Sequence, residues 1–181
     1  MTTTVEAYIN GSGRAIQGAT SHNLGQNFGK MFKIQYENEE GKHAMPYQAS
    51  WGLTTRTIGV AVMVHGDDKG LVLPPRVAPT QVIIVPILKK ESQMKEIDDY
   101  AYDLKDLLEK TETQHGPLRV EVDSRKIYTP GWKFNHWEQK GVPLRIEVGP
   151  RDVEGRQARL VRRDNGAKID VAWADLASTV S

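Results

Sequence analysis

Arg56 has the widest chemical reach in this 181-residue chain. A guanidinium keeps its charge, can clamp phosphate oxygens in a bidentate fork and can lie flat on an aromatic base. It stands in Trp51-Gly52-Leu53-Thr54-Thr55-Arg56-Thr57-Ile58-Gly59. Upstream, Gly13-Arg14-Ala15-Ile16-Gln17-Gly18-Ala19-Thr20-Ser21-His22 gathers a second set of polar groups among small residues. Two residues apart on a strand, Thr20 and His22 share a face and can together bond a small polar ligand, whereas Gln17 joins them only through a bulge or at a strand end. Each stretch has a plainer reading. A lone Arg after two Thr is ordinarily a surface ion-pair partner, and two polar residues on one strand face are ordinarily solvated. Read together, the stretches are two walls of one pocket.

A third stretch is Pro130-Gly131-Trp132-Lys133-Phe134-Asn135-His136-Trp137-Glu138. Two Trp and a Phe interleaved with Lys, His and Glu make either a base-stacking platform or the amphipathic start of a packed helix, and sequence physics favours packing. The five histidines, His22, His43, His65, His115 and His136, show no i, i+4 pair, and there is no cysteine, so a zinc site is not expected. No Walker-type loop, dinucleotide fingerprint or nucleophile elbow is present.

The elements that must hold these groups follow from periodicity. Residues 5–9 and 14–22 read as strands around the turn Asn10-Gly11-Ser12-Gly13, and Phe28, Met31 and Phe32 have the spacing of a short helical turn and read as core. Residues 33–36 and 45–51 read as a hairpin. Ile58-Gly59-Val60-Ala61-Val62-Met63-Val64 is apolar all round; strand propensity favours a strand, while periodicity alone leaves helix open. Three prolines in Pro74-Pro75-Arg76-Val77-Ala78-Pro79 break the chain, and the domain boundary is placed there, giving domains 1–79 and 80–181.

Beyond it, residues 81–88 form a continuous apolar strand of the kind covered on both faces. Met94, Ile97, Ala101, Leu104 and Leu108 mark one face of a helix over residues 91–111, and residues 118–122 return as a strand. Strand, helix, strand implies a right-handed parallel crossover. Further strands at 144–148, 157–163 and 168–171, the last two joined by Asp164-Asn165-Gly166, and a short terminal helix over 173–181 complete a compact α/β domain with a mixed sheet.

Composition bounds function. With 39% hydrophobic and 26% charged residues and no run near the roughly 20 apolar residues of a membrane span, the chain reads as soluble and globular, with no membrane partner. A net charge of +1 excludes indiscriminate binding to phosphate backbones. Arg145, Arg151, Arg156, Arg159, Arg162 and Arg163 are interleaved with Glu147, Asp152, Glu154 and Asp164, which reads as a solvated mixed-charge surface. Lack of cysteine and of a leader pattern in the first residues points weakly to the cytoplasm.

The two pocket stretches, together with Gly70-Leu71-Val72-Leu73-Pro74-Pro75-Arg76-Val77, Pro130 to Glu138 and Gly141-Val142-Pro143-Leu144-Arg145-Ile146-Glu147-Val148-Gly149-Pro150-Arg151-Asp152, closely resemble prolyl-tRNA synthetase of the eukaryotic and archaeal type. The likeness runs over nearly the whole chain. It implies a class II α+β catalytic remnant followed by an α/β anticodon-binding domain, and a proline–tRNA ligase that activates proline with ATP and Mg²⁺ and transfers it to tRNA(Pro). By motif, Arg56, Thr54 and Gln17 correspond to ATP-binding positions, Gln17 also lies near the magnesium ion, and Thr20, His22 and Trp51 correspond to the proline pocket. Glu138, Arg151 and Asp152 correspond to readers of the anticodon guanines, which suits a carboxylate accepting from N1 and N2 and an arginine donating to O6 and N7. The resemblance also makes residues 58–64 a buried helix.

The family's motif 1, which builds its homodimer, and motif 2, whose arginine grips the α-phosphate, have no counterpart in this sequence. The expectation is therefore a fragment with little activity of its own. The alternative is a non-catalytic anticodon-binding module with an incomplete active-site pocket.

Overall fold

The structure, a computed structural model, describes residues 1–87, 91–113 and 116–181. His115 and the last residue of the strand expected over 81–88 lie outside the described residues. Contacts divide the chain into two units, Met1–Val64 and His65–Ser181.

The first unit is an antiparallel three-stranded sheet in the order β1 (Thr2–Ile9), β2 (Arg14–Gly25), β5 (Gln48–Leu53). Between β2 and β5 lie the short helix α1 (Asn27–Phe32) and a two-residue ladder of β3 (Tyr36–Glu37) with β4 (His43–Ala44). The hairpin expected from residues 33–36 and 45–51 is thus redrawn. Asn38 Oδ1 accepts from the N–H groups of Glu40 and Lys42, closing a tight turn early, and Pro46 has no N–H with which to extend the ladder, so the following strand pairs with β2 instead. Helix α2 (Arg56–His65) covers the apolar run whose β-branched residues favour a strand, the helix that the family resemblance implies, but it is not the buried helix expected: only Val60 of it is buried and Ile58 is 68% exposed. Its start is tied locally by the Thr54 hydroxyl, which accepts from Arg56 N, and by the Thr57 hydroxyl, which donates to Thr54 O. Only Ile9, Gly29 and Val60 are buried in this unit. Phe28, Met31 and Phe32, expected in a core, are 40%, 68% and 65% exposed. Their helical spacing is real, and Phe28 stacks on Phe32, but the stripe faces open surface.

The second unit is built on a mixed sheet in the order β12 (Lys168–Ala172), β11 (Gln157–Arg162), β10 (Leu144–Val148), β6 (Val82–Pro86), β9 (Val120–Val122). β6 runs parallel to both neighbours, as the strand–helix–strand pattern implies, while β11 and β12 are antiparallel. The crossover helix α3 (Met94–Glu109) puts Ile97, Ala101, Leu104 and Leu108 in the core, and a two-residue ladder of β7 (Glu112–Thr113) with β8 (Gly116–Pro117) follows it. On the α3 side Val82 and Ile84 of β6 pack with Ile146, Val148, Leu160 and the Leu176 of α6 (Leu176–Val180). On the other side Ile83 and Val85 pack with Val142 and with Phe134 and Trp137 of α4 (Pro130–Gln139). A strand sandwiched between two helical layers has no solvent face, hence its uninterrupted apolar run. The turn into α5 (Pro150–Glu154) leaves the carboxyl end of β10.

Within the second unit the proline-rich segment packs on the end of α4 (Pro130–Gln139) and the turn after it. Leu71 N and Leu73 N donate to Gln139 O and Gly141 O at 3.1 and 3.2 Å. Arg163, buried, donates twice to the Asp67 carboxylate at 2.7 and 2.6 Å. Gly70 has φ +126°, and a Cβ there would lie 2.6 Å from Gln139 Cα, so no other residue fits.

Candidate functional site

Helix α4 begins with a Thr129 cap accepting from Trp132 N and with proline in its first turn, a strong local start signal that fixes the direction of the side chains after it. Glu138, in its last turn, meets Arg145 of β10 at 3.1 Å. Arg145 Nη2 also bonds Glu147 Oε1 at 3.0 Å, and its guanidinium carbon lies 4.2 Å from the Phe134 ring centre. Arg145 and Glu147 point to the α4 side of the sheet, the pleat face they share with Ile83 and Val85 through the parallel register. Arg163 Nε donates to Glu138 O at 3.0 Å, which fixes the helix end carrying the carboxylate. The Glu138 side chain is 31% exposed, against 10% for Arg145. The cluster is therefore an arginine held over the Phe134 ring and presenting an accessible carboxylate.

Asp123, after β9, has a side chain with no exposure and ties α4 to the sheet through Lys133 and Trp137. It accepts from Arg125 Nε and Nη2 at 2.8 and 2.6 Å and from Trp137 Nε1 at 2.8 Å, while Lys133 Nζ donates to its main-chain carbonyl at 2.8 Å. Burial opposes ionisation of Asp123, but the hydrogen bonds from Arg125 and Trp137 outweigh it and hold the carboxyl well below the usual range. Burial lowers Lys133 despite the facing Asp123. Outside this node the three aromatics of the stretch part ways. Phe134 and Trp137 pack, as sequence physics favours, while Trp132 is 41% exposed and stacked between Tyr128 and His136, at 3.7 and 4.8 Å between ring centres. Arg125 lies 5.2 Å from the Trp132 ring centre. Partial burial, then Lys140 and Arg125, push His136 down from its ordinary value.

Arg151 is exposed and makes no ion pair among the described residues. Asp152 accepts from Gly149 N at 2.8 Å and so caps α5. In the basic stretch, Arg159 and Arg162 pair with Asp170 and Asp164 on the surface, as a mixed-charge face would. Arg145 and Arg163 depart from that expectation: both are buried in the networks above.

In the first unit a register shift between Val5 and Glu6 places Gly18 as the extra residue of a bulge. That brings Gln17 round to Thr20, and its amide donates to the Thr20 hydroxyl at 2.7 Å. His22 Nδ1 lies 2.9 Å from the Thr2 hydroxyl. Thr20 and His22 stand opposite Gly52 and Ser50, whereas Trp51 stands opposite Ser21 on the other face of the sheet. Trp51, expected to line the same cavity, is thus separated from Thr20 and His22 by the period-2 pleat, and Gly52 takes the position beside Thr20. Thr57, in the first turn of α2, lies against Gly18, its Cγ2 3.7 Å from where a Cβ would sit, so Arg56 starts its helix beside the Gln17 bulge. Arg56 is exposed.

Residues 81–181, the mixed sheet with its helices, match the anticodon binding domain. The chain belongs to that family. Across 99% of its length it is 52% identical to the cytoplasmic proline–tRNA ligase of Arabidopsis thaliana, and across 94% it is 56% identical to the bifunctional glutamate/proline–tRNA ligase of Mus musculus. Those alignments take in 33% and 11% of the relatives' own lengths. The crystal structure of prolyl-tRNA synthetase from Cryptosporidium parvum, complexed with halofuginone and AMPPNP, superposes with a TM-score of 0.89 at 52% identity, over 99% of this chain and 36% of that one. The chain thus spans about a third of the length of the Arabidopsis and Cryptosporidium proteins.

In this anticodon-binding domain, sequence reasoning passed over Arg145 and the Asp123–Lys133 node. A signal for Arg145 was present: two charges at i and i+2 in Leu144-Arg145-Ile146-Glu147-Val148 fall on one face of a strand inside the sheet, and charges there must find partners.

Proposed function

We propose that this chain is the portion of a cytoplasmic proline–tRNA ligase that reads the anticodon and supplies one side of the ATP and proline pocket. The observation that carries the reading is the Glu138–Arg145–Glu147 cluster over Phe134, set within the anticodon-binding domain. Guanine offers donors at N1 and N2, and the accessible Glu138 carboxylate accepts both in the way a base edge requires. Arg145 orients Glu138, and Arg151, exposed, is free to donate to O6 and N7. Asp152 spends one oxygen on Gly149, leaving the other for a base.

Gln17, Thr54 and Arg56 serve ATP, Arg56 bringing fixed positive charge to the phosphates, and Thr20 and His22, with Gly52 opposite, orient proline. Trp51 has no direct part on that face. No group of three or more His, Asp or Glu residues able to hold a metal occurs among the described residues. The Gln17 carbonyl oxygen, left over after its amide bonds Thr20, is a hard donor that suits Mg²⁺ as one ligand, with nucleotide phosphates supplying others. Bound there, the ion would neutralise phosphate charge. Among the described residues no helix is long and apolar enough to cross a membrane.

The test is binding of a tRNA(Pro) transcript. Glu138→Ala weakens it about tenfold or more while an anticodon-swapped transcript binds both proteins equally. Equal binding of both transcripts to the unaltered chain overturns the reading. A second reading, a module that binds RNA without catalysing, is favoured by the solvent-open Gln17 and Arg56. Proline-dependent ATP–pyrophosphate exchange by the 181-residue chain at ordinary synthetase rates removes it.

A further inference from the structure

The reading of α4 leaves one of its faces unused. Trp132, Tyr128 and His136 form a ladder of near-parallel rings, with interplanar angles of 10° and 14°, that adds nothing to the sheet-covering core. Beside it runs a groove of about 430 Å³ lined by Gly131, Trp132, Asn135, His136 and Gln139, within the roughly 300–1,000 Å³ of small-ligand sites. Gly131, Asn135 and Gln139 follow one another at i, i+4 and i+8, so they form a single stripe of the helix. A Cβ at Gly131 would meet nothing within 4 Å, which leaves that end of the groove open. Among the described residues the side-chain amides of Asn135 and Gln139 make no hydrogen bond, and both residues are exposed.

We propose that this groove is a second base-binding position, taking one unpaired nucleobase of the anticodon loop that lies next to the guanines read at Glu138. The proposal rests on the anticodon reading of the second unit. Its wall chemistry selects the occupant. Two free amides offer paired donors and acceptors to the edge of a base, and the Trp132 and His136 rings offer apolar flanks, whereas the groove has no aliphatic side chain for an apolar helix to pack on. Charge does not oppose RNA: Arg125 and Lys133 pair with the buried Asp123, which leaves Lys140, exposed beside the Trp137 ring, as a cation with no carboxylate partner among the described residues. Position completes the case. Asn135 precedes Glu138 by three residues, a helix rise of about 4.5 Å, close to the roughly 3.4 Å between stacked bases along a strand. Neighbouring nucleotides can therefore engage the two positions without either leaving α4.

An anticodon stem–loop of tRNA(Pro), with each loop base in turn replaced by an abasic residue, tests this against the 181-residue chain by fluorescence anisotropy. One position outside the guanines should lose about tenfold in affinity. In the double variant Asn135→Ala/Gln139→Ala the intact loop should already be weaker by the same factor, and removing that base should cost nothing more. Loss of a guanine should still weaken the double variant, which also shows that α4 is folded. If no base outside the guanines matters, or if the double variant feels its loss as the unaltered chain does, the groove is not a base site. If the guanines are also without effect, the anticodon reading falls with it.

Discussion

The two units treat apolar surface in opposite ways. In the second, β6 is sealed by α3 on one face and α4 on the other, and Ile83, Ile84, Leu104, Leu108 and Ile146 have no exposure. In the first, a sheet of comparable regularity leaves Trp51, Leu53, Met31 and Ile58 between 68% and 75% exposed. The lesson is that hydrogen-bonded ladders define a shape without supplying its stability, which comes from what covers the faces. The second unit carries its own core and can present Glu138 on a rigid base. The first holds Gln17 and Thr20 in register through a bulge while depending on further surface to bury its apolar residues, an arrangement in keeping with relatives about three times as long.

Asp123→Ala makes the sharpest test of that contrast. Removing a carboxylate with no exposure strands Lys133, 3% exposed, beside Arg125, and unfolding of the second unit should cost about 4 kcal/mol less in denaturant titration. A loss under about 1 kcal/mol would mean that α4 is held by packing alone. Next in size, Leu104→Ala should destabilise the same unit by about 3 kcal/mol, whereas Phe32→Ser in the first unit should change stability by no more than about 0.5 kcal/mol. Equal effects would show that the first unit has a core of its own.

Acid should act chiefly on the second unit as well. Side-chain hydrogen bonds from Arg163, then the bond from Lys69 N, hold the Asp67 carboxyl below its ordinary range, and Asp123 is held low against its burial. Both bind protons less readily folded than unfolded, so their contribution is complete above about pH 4 and drains away as pH falls further toward the folded values. The melting temperature should be flat from neutral pH to about pH 5 and drop below pH 4, less steeply in Asp67→Asn. A midpoint that stays level into strong acid would show that neither pair stabilises the fold.

Much of the second unit is legible in the sequence because its signals are local and agree. The steps of three and four from Met94 to Leu108, the alternation at 118–122 and the Asp-Asn-Gly turn each predict their element. The first unit is harder to read, since its segments answer to surface beyond themselves. Residues 58–64 look like a strand by propensity and fold as a helix, and Phe28, Met31 and Phe32 have the spacing of core residues without a core above them. At the sites, the pleat could be counted from Thr20 to His22, and the bulge at Gly18 was the stated condition for Gln17 to join them. That Trp51 faces away depends on the β2–β5 register, set by residues some thirty positions apart, which no local pattern carries. For Arg145 the sequence shows the charge shared with Glu147 on one strand face, but its other partners, Glu138 and Phe134, follow from how α4 packs on the sheet, which no local pattern carries.

The Asp67–Arg163 bond also has a consequence for timing during synthesis. Its partners are 96 residues apart in the chain. At the roughly 5–20 residues per second of translation, Asp67 waits some 5 to 20 s for its arginine to be made. Residues 70–73 can dock earlier, once Gln139 and Gly141 have been made, but the Asp67 end of the segment stays untied until Arg163 follows. The proline-rich segment thus gains its last anchor only after β6, β9, β10 and β11 have been made.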